Sequence, residues 1–223
     1  MGFKSGGIYN LSKINLNLRC EQLQLFLNLE ILLYDLNLHK KSNLIKKTTS
    51  ELKRISPSEY KQRIDNRIVV VLDNIRSKQN IGSIFRTCDA FGIGKIILCG
   101  ISACPPDREI ERTALGATLS VSWEYFANAC TCISQLKESG YTIISVEQTH
   151  RGHLLNEFEF PDSKIALVFG NEVEGIDENV LRTSDICIEI PQRGTKHSLN
   201  VAVSAGIALW QMIQRDLKLL MDE

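Results

Sequence analysis

Ile68-Val69-Val70-Val71-Leu72, entered from Arg67, is an unbroken apolar run dominated by β-branched residues. Successive strand side chains point to opposite sides, so a run of this kind is stable as a strand only when both faces are covered. Such a run is expected of a strand covered on both faces, as in a parallel sheet between helices. The rest of the chain complies. The patterning predicts further strands over Lys95 to Cys99, Tyr141 to Val146, Ile165 to Phe169 and Ile186 to Ile190. Between them it predicts helices over Ile81 to Phe91, Asn128 to Ser139, Glu178 to Arg182 and Ser198 to about Leu220, several closed by glycine. Ser56-Pro57-Ser58-Glu59 reads as a helix start, with Pro57 in the first turn and Glu59 at the positive end of the dipole. Strands alternating with helices at these lengths make an α/β fold with a mostly parallel sheet and helices on both faces.

Residues 1–50 read differently. Leu16, Leu18, Leu23, Leu25, Leu27, Leu29, Ile31 and Leu33 alternate as a strand would, while Ile31, Leu32, Leu33, Leu36 and Leu38 suit a helix equally well. We read this stretch as a helical N-terminal extension followed by a polar linker, and residues 51–223 as the main domain. The formal net charge of the 223 residues is zero, so nucleic-acid affinity would have to come from local patches. One such patch runs from Lys40 to Arg67, with Lys46, Lys47, Lys53, Arg54, Lys61 and Arg63 inside it. A basic run of this kind is as readily a solvated face.

Seven cysteines are scattered without a C-x-x-C pair, and Cys130-Thr131-Cys132 has the wrong spacing for a metal knuckle. The pattern reads as reduced thiols in a cytoplasmic protein, without a disulfide frame or a metal site. No apolar stretch is long enough to span a bilayer, so no membrane role is expected.

Chemistry-bearing residues gather where strands give way to helices. Asn80-Ile81-Gly82-Ser83-Ile84-Phe85-Arg86 opens the helix after the first strand. Asn80 reads as its N-cap, and Gly82 allows close backbone approach. Arg86 lies six residues on, about 120° round the helix. The bland reading is a capped core helix; the functional one has Asn80 and Arg86 engaging ribose and phosphate. Phe169-Gly170-Asn171-Glu172-Val173-Glu174-Gly175 follows the Ile165 strand. It is neither a dinucleotide fingerprint nor a P-loop. It is either a glycine-bounded turn or a backbone cradle at Gly170 for a flat polar cofactor, with Glu172 facing the reaction centre.

The last strand ends in Ile190-Pro191 and leads through Gln192-Arg193-Gly194-Thr195-Lys196-His197 to Ser198-Leu199-Asn200. Ser198 reads as the N-cap of the closing helix, and Arg193, Lys196 and His197 beside it would suit phosphate. Ala202, Val203, Gly206, Ile207 and Trp210 fall on helical spacing and read as core or interface. Glu147, in the polar loop Glu147-Gln148-Thr149, either braces the fold or lines the same cleft.

These stretches, in this order and spacing, resemble the SpoU (TrmH-type) RNA ribose 2′-O-methyltransferases of the SPOUT superfamily, over about residues 66 to 215. The resemblance implies a deep C-terminal trefoil knot, S-adenosylmethionine as methyl donor and a homodimer with its active site at the interface. It makes Arg86, Asn80, Glu172, Ser198 and Asn200 the catalytic set. Phe169, Gly170, Asn171, Ile190, Pro191, Gly194, Ser198 and Leu199 become the cofactor-binding set. RNA contacts are expected from Arg86, Arg193, Lys196, His197, Lys53 and Arg54, with no metal. Arginine is hard to deprotonate, so Arg86 is expected to stabilise charge and not act as a base, leaving Glu172 or a substrate phosphate to take the proton. The compact core, the Tyr141 to Thr149 segment and Pro191-Gln192 look most like members acting on tRNA, including those that modify a D-loop guanosine. Ribosomal RNA is the alternative substrate, and a non-catalytic RNA-binding homologue the alternative class.

Overall fold

The computed structural model describes residues 55–221 without a break, together with positions 28, 31, 32, 45–48 and 50–52. Lys53 and Arg54, and most of the helix predicted before residue 40, lie outside the described residues. Residues 55–223 form one unit. It opens with α1 (Pro57–Arg63), where Ser56 and Glu59 form a reciprocal capping box and Pro57 occupies the first turn. Then come β1 (Asp65–Asp73), α2 (Lys78–Ala90), β2 (Ile93–Cys99), α3 (Arg108–Ala114), α4 (Ala117–Ser120) and β3 (Ser122–Phe126). After these follow α5 (Ala129–Glu138), β4 (Thr142–Val146), β5 (His153–Leu154), β6 (Ile165–Phe169), α6 (Glu178–Thr183), β7 (Ile186–Glu189) and α7 (Val201–Met221).

The seven strands form one sheet in the order β3-β2-β1-β6-β4-β7-β5, and every pairing is parallel. The β1 run behaves as its composition requires. Ile68, Val70 and Leu72 enter a core with Ile81, Ile84 and Phe85 of α2 and Ala205 and Leu209 of α7. Val69 and Val71 enter a second core with Cys132 and Ile133 of α5 and Val180 of α6. Helices therefore cover both faces.

Two predicted helix starts are corrected. The N-cap of α2 is Ser77, whose side chain accepts from the Asn80 amide, so Asn80 lies inside the first turn. The N-cap of α7 is Asn200 and not Ser198: Asn200 Oδ1 accepts from Ala202 N–H at 2.9 Å and Val203 N–H at 3.4 Å, and its carbonyl from Ser204 N–H. Both true caps present a side-chain oxygen at the position where the first orphan amides point. Strands β3 and β5, and helices α3 and α4, were not anticipated. β3 is a half-wet edge strand and β5 is two residues long, so neither carries an apolar run.

The chain lays β1, β2 and β3 outward to one side and places β6, β4 and β7 on the other. In an open parallel sheet, a reversal of this kind leaves a crevice at the carboxyl ends of the strands. The polar motifs all follow those ends.

Candidate functional site

The turn after β6 is built first. Asn171 N–H donates to the Gly175 carbonyl at 2.9 Å and Gly175 N–H to the Asn171 carbonyl at 3.0 Å. Asn171 Oδ1 accepts from Val173 and Glu174 N–H, while its Nδ2 donates to the Asn74 carbonyl at 2.7 Å. Gly175 holds φ at 73°. A Cβ on Gly170 would fall on the backbone of Gly175 and Ile176, so only glycine lets this turn fold back on its own strand.

The turn presents Glu172 to the amino end of α2. Its Oε2 accepts from Arg76 N–H at 2.9 Å, and its Oε1 from Ser77 N–H at 3.0 Å and Asn80 Nδ2 at 2.9 Å. Burial pushes the Glu172 carboxyl upward, but the Arg76 amide, the Asn80 side chain and the Ser77 amide outweigh it and leave the group below its ordinary range. Asn80 Oδ1 in turn accepts from Asn200 Nδ2 at 3.1 Å. One hydrogen-bonded chain thus joins the β1–α2 junction, the β6 turn and the start of α7. The carboxylate predicted to face a reaction centre spends its oxygens on holding these segments together.

A cleft of about 460 Å³ lies beside this chain, in the size range of small-ligand sites. Of the residues expected to bind cofactor, Phe169, Gly170, Asn171, Ile190, Ser198 and Leu199 line it, and so does Glu172 of the expected catalytic set. Pro191 and Gly194 do not line it, although their neighbours Ile190 and Gln192 do. A Cβ on Gly194 would have room, so no close approach explains that glycine. Val146, Gln148, Ile176, Leu181 and Val201 also line the cleft; these were not predicted, since they read as ordinary core or loop residues. Glu147 performs both of its candidate roles. It lines the cleft, and its Oε2 accepts from Ile176 N–H at 3.1 Å, bracing the turn. The walls combine apolar side chains with exposed backbone and a few polar groups, a lining suited to a flat, polar, nucleoside-sized ligand.

Arg86 sits apart. It is exposed on α2, does not line the cleft, and its guanidinium has no hydrogen-bond or ion-pair partner among the described residues. Arg193, Lys196 and His197 lie on an exposed loop before α7. Among the described residues no cluster of His, Cys, Asp and Glu could hold a metal ion, and no helix is long and apolar enough to cross a membrane.

The chain is similar to known proteins. A mouse protein named tRNA (guanosine(18)-2′-O)-methyltransferase TARBP1 is 35% identical over 160 residues, which are 68% of this chain and 10% of that protein. An uncharacterized tRNA/rRNA methyltransferase of Borreliella burgdorferi is 33% identical over 185 residues, 83% of this chain and 78% of its own. Among solved structures, an S-adenosylmethionine-bound rRNA methyltransferase from Sinorhizobium meliloti superposes with a TM-score of 0.64 at 27% identity. That match covers 73% of this chain and 61% of the other. The match thus spans a tenth of the mouse protein's length and less than two-thirds of the Sinorhizobium one. The SpoU rRNA methylase family model matches residues 67–210, which take in the β1 run, the Glu172–Asn80–Asn200 chain and the cleft: this chain belongs to the SpoU rRNA methylase family.

Proposed function

We propose that the protein transfers a methyl group from S-adenosylmethionine to a ribose 2′-hydroxyl of RNA. The observation that carries this is the hydrogen-bonded chain from Glu172 through Asn80 to Asn200, which ties three motif segments together, with Glu172 on the wall of the cleft. Backbone groups around Gly170, with Phe169, Ile190 and Leu199 as apolar walls, would hold the cofactor. When bound, it supplies an electrophilic methyl on sulfur. Arg86 would meet RNA: exposed, and with no partner for its guanidinium among the described residues, it can grip a phosphate and stabilise the oxyanion that forms on the 2′-oxygen. Glu172 is a poor proton acceptor in this setting, since three donors already stabilise its ionised form, so the 2′-hydroxyl proton leaves towards an RNA phosphate or water. Orientation and oxyanion stabilisation together carry the rate. The residues Arg193, Lys196 and His197 extend the RNA-facing surface, and we assign Lys53 and Arg54 to the same role.

The identity with a relative named for guanosine 18 of tRNA supports tRNA, and a D-loop guanosine, as the substrate. We further assign the protein a homodimeric state, the family's deep trefoil knot at its C-terminal passage and a cytoplasmic location. Supporting the dimer, Val203, Ile207 and Trp210 present an exposed apolar stripe along α7, larger than an isolated surface residue needs to be. Free thiols at Cys88, Cys99, Cys104, Cys130, Cys132 and Cys187 accord with a reducing compartment.

The test is methyl transfer from labelled S-adenosylmethionine to unmodified tRNA and, separately, unmodified rRNA, followed by nucleoside mass spectrometry. The expected product is 2′-O-methylguanosine in tRNA, lost with Arg86→Ala. Transfer only to rRNA would move the substrate while keeping the chemistry. Absence of cofactor binding would overturn the enzymatic reading.

A further inference from the structure

Every residue from 191 to 199, the passage between β7 and the Asn200 cap, is exposed. Among the described residues a single hydrogen bond ties this passage to the rest of the chain: Gln148 Nε2 donates to the His197 carbonyl over 2.8 Å. His197 directly precedes Ser198 and Leu199, which form one wall of the cleft. Without that bond, the nine residues run from Ile190 to Asn200 with no intermediate hydrogen bond among the described residues.

Gln148 is itself held in place from several sides. Its N–H donates to Glu147 Oε1 at 2.9 Å. Glu147 Oε2 accepts from Ile176 N–H at 3.1 Å, and Glu147 N–H donates to the Ile188 carbonyl at 3.0 Å. The dipeptide after β4 therefore touches the end of the Gly170–Gly175 turn, the strand β7 and the loop before α7. These elements supply the walls of the cleft. The Glu172–Asn80–Asn200 chain secures the far end of the same loop, at the helix cap. Gln148 is the second fixed point.

We propose that Gln148 is a positioning residue for the cofactor: its side-chain amide pins the 191–199 loop so that Ser198 and Leu199 close the cleft. The proposal rests on the reading of the cleft as the S-adenosylmethionine site. A loop with one internal anchor samples far fewer conformations than the same loop without it. Binding that needs the closed form is weakened by the fraction of time the loop spends away. An exposed hydrogen bond of ordinary strength corresponds to a change of about three- to tenfold.

The test compares wild type with Gln148→Met, which keeps the reach of the side chain and removes the donor. The first readout is trypsin cleavage after Arg193 and Lys196, mapped by mass spectrometry, with and without S-adenosylhomocysteine. The second is calorimetric affinity for S-adenosylhomocysteine. The third is KM for S-adenosylmethionine against KM for RNA. The variant is expected to be cut several-fold faster in the loop and to bind the ligand about three- to tenfold more weakly. Its KM should rise for the cofactor and not for RNA, with the melting temperature of the ligand-free protein held. Wild-type cleavage and wild-type affinity in the variant would overturn the proposal, as would a fall in melting temperature that accounts for the faster cleavage. If wild type itself fails to bind the ligand, the cofactor reading falls. Cleavage of the two ligand-free proteins then still decides whether Gln148 pins the loop.

Discussion

Asn200 Nδ2 donates to Asn80 Oδ1 over 3.1 Å, joining the first turns of two helices that lie 120 residues apart in sequence. Both amide orientations are forced from the ends of the chain. Ala202 and Val203 N–H can only donate, so Asn200 must offer them its oxygen and Asn80 its nitrogen. An ionised Glu172 can only accept, so Asn80 must offer it nitrogen and keep oxygen for Asn200. A flip of either amide would set like groups against each other at two places.

The pair is expected to be energetically coupled. In a double-mutant cycle of Asn80→Ala and Asn200→Ala, each single change removes a cap or bridge, and the double change should cost less than their sum by about 1 kcal/mol. Urea denaturation of the four proteins measures it. Strict additivity would mean that the bond at 3.1 Å contributes nothing to the fold.

Glu172→Gln should show a pH-dependent defect with a defined sign. The folded-state carboxyl lies below its ordinary value near 4.5, drawn down by the Arg76 amide, the Asn80 side chain and the Ser77 amide against the effect of burial. A depressed carboxyl stabilises the fold at pH values above the ordinary one, and that contribution is lost as pH falls through the depressed value. Wild type should therefore exceed the variant by about 1–2 kcal/mol at pH 7, a cap-sized effect. The gap should close in denaturation experiments carried below pH 4. A gap of constant size at every pH would assign Glu172 a role independent of its charge.

Much of this architecture is legible in the sequence because burial on both faces leaves no room for polar residues: the β1 run, β6 and the α5 helix were placed within a residue or two. The starts of α2 and α7 differ from expectation for another reason. Ser77, Asn80, Ser198 and Asn200 are all competent cap residues, and only the three-dimensional path decides which oxygen meets the orphan amides. The cleft residues from motif turns were readable through the resemblance. Gln148 and Ile176 were not, because their place at the cleft follows from which strands become neighbours, and β4 is separated from β6 in sequence by β5 and a loop.

Gly170→Ala tests the cradle. The added methyl would meet the Gly175 and Ile176 backbone, which cannot swing aside as a side chain end can. A cost of about 1–3 kcal/mol in stability is expected from overpacking. The loss of S-adenosylhomocysteine affinity should exceed what the unfolded fraction explains, because the turn that lines the cleft must shift. Calorimetry alongside thermal melting separates the two effects.

Arg86→Ala should behave in the opposite way. With no partner for its guanidinium among the described residues, its removal leaves the fold and cofactor affinity close to wild type. Methyl transfer is expected to fall by about 10²–10³-fold, the range for losing one group that stabilises an oxyanion. Arg86→Lys keeps the charge and loses the planar fork, so near-full activity in that variant would show that the guanidinium geometry is dispensable.

The stripe on α7 gives the last prediction. Val203, Ile207 and Trp210 recur at helical spacing and are 50%, 38% and 48% exposed, while Ala205, Ala208 and Leu209 on the opposite face are buried in the core. A helix whose second face is also apolar is suited to a second partner. If that partner is another copy of the chain, Ile207→Arg places a charge at the self-facing surface of both protomers. Losing a central apolar contact of this kind costs about 2 kcal/mol, or about thirtyfold in dissociation constant. Sedimentation over a concentration series should show wild type as a dimer and Ile207→Arg shifted towards monomer, with transferase activity falling in step. A monomeric wild type with full activity would leave the stripe without this role, and would require the site to be complete within one chain.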